Sequence, residues 1–290
     1  MKVELGAGEF SGEPNPMLPE WLRQLRRTEV TDRVKDDPRT TTGTVLGVNP
    51  DEAKREAAGW GQADFDEPWG GLSPDDRVLL YAHFFQLGHL EELVTAFGQL
   101  FGDADPPRDP IVVDLGCGPF TGGLAIAGQF HRDARLDYVG VDRSLAMHGL
   151  GRRLATAAEQ VHELPRIRCR WATDIPTVPW DDPPGWRPVV VIVSYLFASP
   201  TLGIATLVAG LDDLLPKLGR GSITLLYTNS VRHDANRQFP IFCSMLHDRG
   251  FEMRVNEVGD IDVERGLVVK TRRLRYALFH RPSRKTLKLG

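Results

Sequence analysis

Short apolar runs alternate with amphipathic stretches of helical period along most of the chain, and the alternation is clearest after position 72. Ser73, Pro74, Asp75 and Asp76 make a helix start: a capping hydroxyl, a proline at the first helical position and two acids in the first turn. Val78, Leu79, Ala82 and Phe85 mark the apolar face of a helix to about Leu87, with Gly88 as its stop. A second helix is expected over His89 to Phe101. Ile111–Val113 and Leu136–Val141 are runs short enough for strands buried on both faces, as parallel sheets require. Further strands are expected at Arg166–Ala172, Val189–Val193 and Ser222–Tyr227, with helices at Ser144–Leu164, Ile204–Leu218 and Gln238–Arg249 between and after them. Phe251–Val258 and Val268–His280 then read as an antiparallel pair joined by a polar, acidic loop, Gly259–Gly266. Alternation of this kind predicts a doubly wound α/β fold of seven strands, mostly parallel, ending in an antiparallel hairpin.

The first 72 residues read differently, and we divide the chain into an extension, 1–72, and a main domain, 73–290. Met1–Pro19 holds three prolines and several glycines, the composition of a loosely ordered arm. Glu20–Arg33 has the spacing of a short amphipathic helix through Trp21, Leu22, Leu25 and Val30. Trp60, Phe65 and Trp69 follow among threonines and glycines, either as a lid over a site or as pins that hold a loop to the core.

Composition narrows the functional classes. The 290 residues are 41% hydrophobic and 26% charged, with a net charge of -4, which gives no global attraction to nucleic acid. Cys117, Cys169 and Cys243 have no metal-ligand spacing and suggest no disulfide framework, so a reducing, cytoplasmic setting and no metal are expected. No apolar run approaches ~18 residues, so no membrane span is expected. His83 and His89 read as structural or surface residues.

The candidate chemistry lies in IVVDLGCGPFTGGLAIA, positions 111–127: a strand, a glycine turn and a helix start. Such a turn lets backbone approach a ligand closely, with helix amides facing the same crevice. A dinucleotide fingerprint would need a glycine at 121, where Thr121 stands, and would not carry Asp114 before the turn. V-V-D-L-G-C-G-P-F-T-G followed by Y-V-G-V-D-R-S resembles the first two motifs of class I S-adenosylmethionine-dependent methyltransferases, and the resemblance spans roughly Ile111 to Ser230. It implies S-adenosylmethionine lying across the carboxyl ends of the first strands, against Asp114, Gly116, Cys117, Gly118, Asp142, Arg143, Asp174 and Ser194. Asp114 suits an ammonium group, and the two oxygens of Asp142 suit the two ribose hydroxyls. Asp174, just past the third strand, occupies the place where family members meet the adenine amine, or else caps a turn.

Ser194-Tyr195-Leu196-Phe197 ends the fourth strand on the side where the acceptor should lie. The acid-or-asparagine, proline, proline, aromatic motif of base-amine methylation is absent there, and no cysteine suits a carbon-5 mechanism. Tyr195 and His233 are the candidate catalytic residues, and Tyr195, Phe197 and Asn229 the candidate acceptor contacts. Lys270, Arg272, Arg273, Arg275, Arg281, Arg284, Lys285 and Lys288 form either a phosphate track for RNA or a charged sheet edge and tail. The expected acceptor is a small molecule, with RNA second. A non-catalytic protein that binds S-adenosylmethionine or a partner is the rival class.

Overall fold

A computed structural model describes residues 18–101, 107, 109–130, 134–161, 166–199, 201–265 and 268–283. The arm before Leu18 and the tail residues Arg284, Lys285 and Lys288 lie outside them. Seven strands form one sheet: β1 (Ile111–Leu115), β2 (Arg135–Val141), β3 (Arg166–Ala172), β4 (Val189–Ser194), β5 (Ile223–Ser230), β6 (Glu252–Arg265) and β7 (Val268–Arg281). Their order is β3-β2-β1-β4-β5-β7-β6. β1 to β5 run parallel, while β7 lies antiparallel between β5 and β6. This is the doubly wound sheet with a terminal hairpin that the alternation predicts.

All five residues of β1 are buried, which is why it reads as an unbroken apolar run interrupted by one acid. Period-two alternation sends Val112, Tyr138, Val190 and Leu226 into one core, and Val113, Val139, Val191 and Leu225 into another on the opposite face. The register levels the strand tips: Leu115 pairs with Val141 on one side and Val193 on the other. Gly116, Asp142 and Ser194 therefore emerge together, where the winding reverses between β1 and β4 and leaves a crevice.

The first core is covered by α2 (Pro74–Tyr81), α3 (Leu87–Phe101), α4 (Thr121–Ala127) and α5 (Leu145–Gln160), and the second by α6 (Ile204–Leu218) and α8 (Phe239–His247). A short helix, α7 (His233–Asn236), follows β5. The Ser73 hydroxyl accepts from the Asp76 amide at 3.2 Å and the Asp76 carboxylate accepts from the Ser73 amide at 3.0 Å, the reciprocal cap expected at this start.

Two expectations are corrected. Gly88 does not stop the helix: a π-helical stretch, Ala82–Gln86, joins α2 to α3, and Gly88 is buried inside the run. Burial of Leu90, Leu93, Val94 and Phe97 along one continuous face outweighs the glycine's weak helix preference. Gly259–Arg265 is strand, not loop, and continues β6 opposite Leu274–Val268. Its polar character belongs to cross-strand partners, with Asp260 facing Arg273 at 3.8 Å.

The extension shares the main core through Leu18, Leu22, Leu25, Val30 and Phe65. In α1 (Glu20–Arg26), the buried Arg26 guanidinium donates to the Ala82 and His83 carbonyls at 3.1 and 3.0 Å, on the π-helical stretch. Arg77 donates to the carbonyls of Ala57, Asp64 and Glu67, stapling that loop to α2. Phe65 is buried edge-on to Tyr81, Trp69 is half-buried, and Trp60 is 59% exposed beneath a Lys54 ammonium.

Candidate functional site

The turn after β1 is built from backbone that side chains would strain. Gly116 and Gly118 sit at φ 71° and 50°, the left-handed region that glycine enters at no steric cost. The amides of Gly116 and Cys117 both donate to the Val141 carbonyl, fastening the turn to the tip of β2. Asp142 completes the join: its Oδ2 accepts from the Gly118 amide at 2.9 Å and its Oδ1 from the Ser144 amide at 3.0 Å. Burial pushes the Asp142 carboxyl up, against those two amides, which favour the ionised form.

Both open sides of the turn have a wall. A side chain on Gly116 would come within 2.9 Å of Leu196 Cδ1, and one on Gly118 would approach the Tyr81 ring at 3.9 Å. Asp66, from the extension, caps the helix that follows Asp142: it accepts from the Leu145 and Ala146 amides and the Ser144 hydroxyl at 2.9–3.0 Å. Burial works against the Asp66 charge, and those three donors outweigh it and hold the carboxyl below its ordinary range. Nothing local in the sequence marks Asp66, whose partners lie about eighty positions away.

Asp114 does not face the open side of the turn. It is 2% exposed, and its Oδ2 accepts from the Tyr138 hydroxyl at 2.7 Å, with the Gly122 amide as a second donor. Burial pushes it up to about 7, Tyr138 opposing and Asp142 adding to the rise. A carboxyl raised in the fold favours the protonated folded state, so stability falls as pH climbs from about 4 towards 7. At about 1.4 kcal/mol per pH unit the loss reaches roughly 4 kcal/mol. Thermal melts at pH 5 and pH 8 should show it, and Asp114→Asn should flatten the difference. An equal pH slope in the variant would refute the assignment.

Other expected residues take varied positions. Cys117 is buried against Gly140, and burial, then Asp142 and Asp114, push its thiol far above the ordinary range. Arg143 is exposed, and Asp174 is an exposed turn residue whose Oδ1 accepts from the Thr177 amide at 3.0 Å. Ser194 Oγ accepts from Thr228 at 2.9 Å. Phe197 is packed into the second core against Tyr227 and Phe242. Asn229 is fully buried: its amide donates to the Tyr227 hydroxyl and the Ala235 carbonyl, and its carbonyl accepts from the Ser230 amide. His233 is exposed at the start of α7.

Tyr195 stands apart from these. It is a non-glycine residue at φ 56°, its ring stacks on His89 with centroids 4.3 Å apart, and its hydroxyl donates to Glu92. Glu92, 1% exposed, is ion-paired at 2.8 Å with Arg272 of β7. His89 Nδ1 lies 3.5 Å from the Tyr81 hydroxyl. From the sequence His89 reads as a structural or surface residue, and nothing local marks Glu92. Tyr81, Phe85, His89 and Glu92, spaced four, four and three apart, form a helix stripe that could have revealed them.

The glycine turn after β1, the acid after β2, and the doubly wound sheet with its antiparallel end now stand together as the sequence resemblance implies. The fold is that of the class I methyltransferases. No family model matches the chain, and no curated protein matches it. Among solved structures, precorrin-6y C5,15-methyltransferase from Geobacter metallireducens is 12% identical over 68% of this chain and 87% of its own, at a TM-score of 0.42. A SAM-dependent methyltransferase from Methanosarcina mazei is 11% identical over 62% and 95%, at 0.41. The N-methyltransferase NodS from Bradyrhizobium japonicum is 12% identical over 68% and 96%, at 0.41. At such identities and TM-scores the likeness carries no argument about this chain's cofactor or acceptor. Among the described residues no helix is long and apolar enough to cross a membrane, and no cluster of three or more His, Cys, Asp or Glu is placed to hold a metal.

Proposed function

We propose that the chain is an S-adenosylmethionine-dependent methyltransferase whose cofactor lies across the tips of β1 and β2. The observation that carries this reading is the Gly118–Asp142 join. It sets a left-handed glycine turn and a carboxylate side by side at the switch point of the sheet. Each Asp142 oxygen takes one backbone donor and keeps a further lone pair, which suits two neighbouring ribose hydroxyls. Gly116 and Gly118 leave backbone bare between Leu196 and Tyr81, an apolar and an aromatic wall for a flat nucleoside. Asp174 keeps Oδ2 for an adenine amine while Oδ1 holds its own turn. When bound, the cofactor supplies a methyl group already activated by a sulfonium, so the chain's task is to hold and orient.

The acceptor in this reading is a small molecule rather than RNA. Three described arginines of β7 turn to local partners: Arg272 to Glu92, Arg273 to Asp260, and Arg275 to Asn256 and the face of Phe239. Arg281, at the strand's end, lies over Phe251. Such engagement commits these arginines to partners within the fold, on an inner strand between β5 and β6 rather than the sheet edge that the sequence suggests.

Calorimetric titration with S-adenosylhomocysteine tests the cofactor site, and a parent protein that gives no binding heat would end the reading. Asp142→Ala should lower affinity by roughly ten- to a hundredfold through loss of charge-assisted hydrogen bonds. An unchanged affinity would remove Asp142 from the site.

A further inference from the structure

We propose that Trp60 and Lys54, from the extension, select the acceptor, and that the acceptor carries an anionic group on a flat apolar body. The proposal rests on the cofactor reading above and extends it to the acceptor side of the crevice.

One ring connects the extension to the glycine turn. A side chain on Gly61 would come within 3.2 Å of Tyr81 Cε2, while one on Gly118 would approach Tyr81 Cε1 at 3.9 Å. The turn Gly59–Gly61 and the turn after β1 therefore lie against opposite edges of the same phenol. Tyr81 also meets Phe85 and His89, four and eight residues further along its helix, with ring centroids 5.6 and 6.4 Å away. His89 in turn stacks on Tyr195, just past β4. Tyr81, Phe85 and His89 are all half-buried, so the row of rings is a partly open aromatic wall leading from the glycine turn towards the tip of β4.

Lys54 and Trp60 stand beside the middle of that row. The Lys54 ammonium lies 5.2 Å from the centroid of the Trp60 ring and 5.8 Å from that of Phe85, bridging the extension to the wall. Ring faces attract a cation but leave its charge uncancelled. Among the described residues no carboxylate is paired with Lys54, and the acid beside it in sequence, Glu56, is taken by Arg55 at 3.0 Å. A half-buried ammonium seated on two rings is a ready partner for an anion brought in by a ligand.

The indole is held in place at a cost. Trp60 sits at φ 54° and ψ 25°, between glycines at φ 52° and 90°. A bulky residue in that left-handed region is strained, and strain of this kind gathers at ligand clamps. Burial does not offset it, because Trp60 is 59% exposed, whereas Phe65 is buried and pins the same loop to the core. A flat apolar body lying against Phe85 would cover the bare indole, with its anionic group at the Lys54 ammonium.

Two probes of one shape test this: naphthoate, a flat carboxylate, and naphthamide, its uncharged counterpart, each titrated into protein saturated with S-adenosylhomocysteine. The parent should bind naphthoate at least about fivefold more tightly, one charge-assisted hydrogen bond's worth. Lys54→Met, which keeps a flexible apolar stem over the rings, should cut that preference to about twofold or less. Trp60→Ala should weaken both probes by about fivefold and keep the preference. Both variants should hold S-adenosylhomocysteine within about twofold of the parent, and circular dichroism melts check that they fold. Overhauser transfer between bound naphthoate and bound S-adenosylhomocysteine should show the two ligands side by side. The proposal is overturned by a parent that binds naphthoate no better than naphthamide, by a preference that survives Lys54→Met, or by parental probe affinities in Trp60→Ala. Two bound ligands without Overhauser transfer, or loss of S-adenosylhomocysteine in a folded variant, would overturn it as well. A parent that gives no heat with S-adenosylhomocysteine refutes the cofactor reading itself, and the proposal with it.

Discussion

Gly116→Val should abolish detectable S-adenosylhomocysteine binding, a loss of at least about a hundredfold, while leaving far-ultraviolet circular dichroism unchanged. Two costs combine at this position. The backbone is held at φ 71°, where a β-branched residue is strongly disfavoured. The new Cβ would also stand 2.9 Å from Leu196 Cδ1, so either the side chain or the turn must move into the crevice. The turn cannot retreat, because the Gly116 and Cys117 amides are tied to the Val141 carbonyl and Gly118 to Asp142. A control separates the two costs: Gly116→Ala combined with Leu196→Ala removes the clash and keeps the strain, and should recover part of the affinity. Titration heats in Gly116→Val equal to the parent's would show that ligands bind elsewhere.

Arg77→Met should destabilise the protein by about 3 kcal/mol, read as a fall of several degrees in melting temperature. The guanidinium is buried and gathers three carbonyls of the extension, from Ala57, Asp64 and Glu67. Methionine keeps much of the volume and none of the donors, so buried acceptors lose their partners. The loop should then open, exposing the chain around Asp64–Glu67 to limited proteolysis. Because Asp66 caps the helix after Asp142, that opening should also weaken the cofactor site. A variant with parental melting temperature and protease resistance would mean that the loop is held by Phe65 packing alone.

What the sequence disclosed follows how local its causes are. The Ser73–Asp76 cap, the glycine turn and the strand-ending Asp142 depend on neighbours within a few positions, and each stands where the pattern puts it. The hairpin was underestimated because acids such as Asp260 read as loop until the facing arginine is known. Asp114 was assigned to the ligand because its type was legible while its direction was not. Alternation puts Asp114 on the face of Val112, and the partner that awaits it there, Tyr138, lies twenty-four positions on. Glu92 and His89 escaped notice because they lie on a helix that otherwise reads as core, and their partners Arg272 and Tyr195 come from distant strands.

The π-helical stretch between α2 and α3 has a geometric consequence. In an uninterrupted α-helix, residues eight apart are about 80° out of line, eight steps of about 100° less two full turns. Bonding five residues apart over Ala82–Gln86 spends fewer degrees on each residue and swings His89 back towards the azimuth of Tyr81. The stretch thus acts as a phase shifter: everything after it is indexed to a new angle. Deleting one residue there would return the helix to ordinary winding and leave the glycine turn intact, with His89 rotated away from the Tyr81 side.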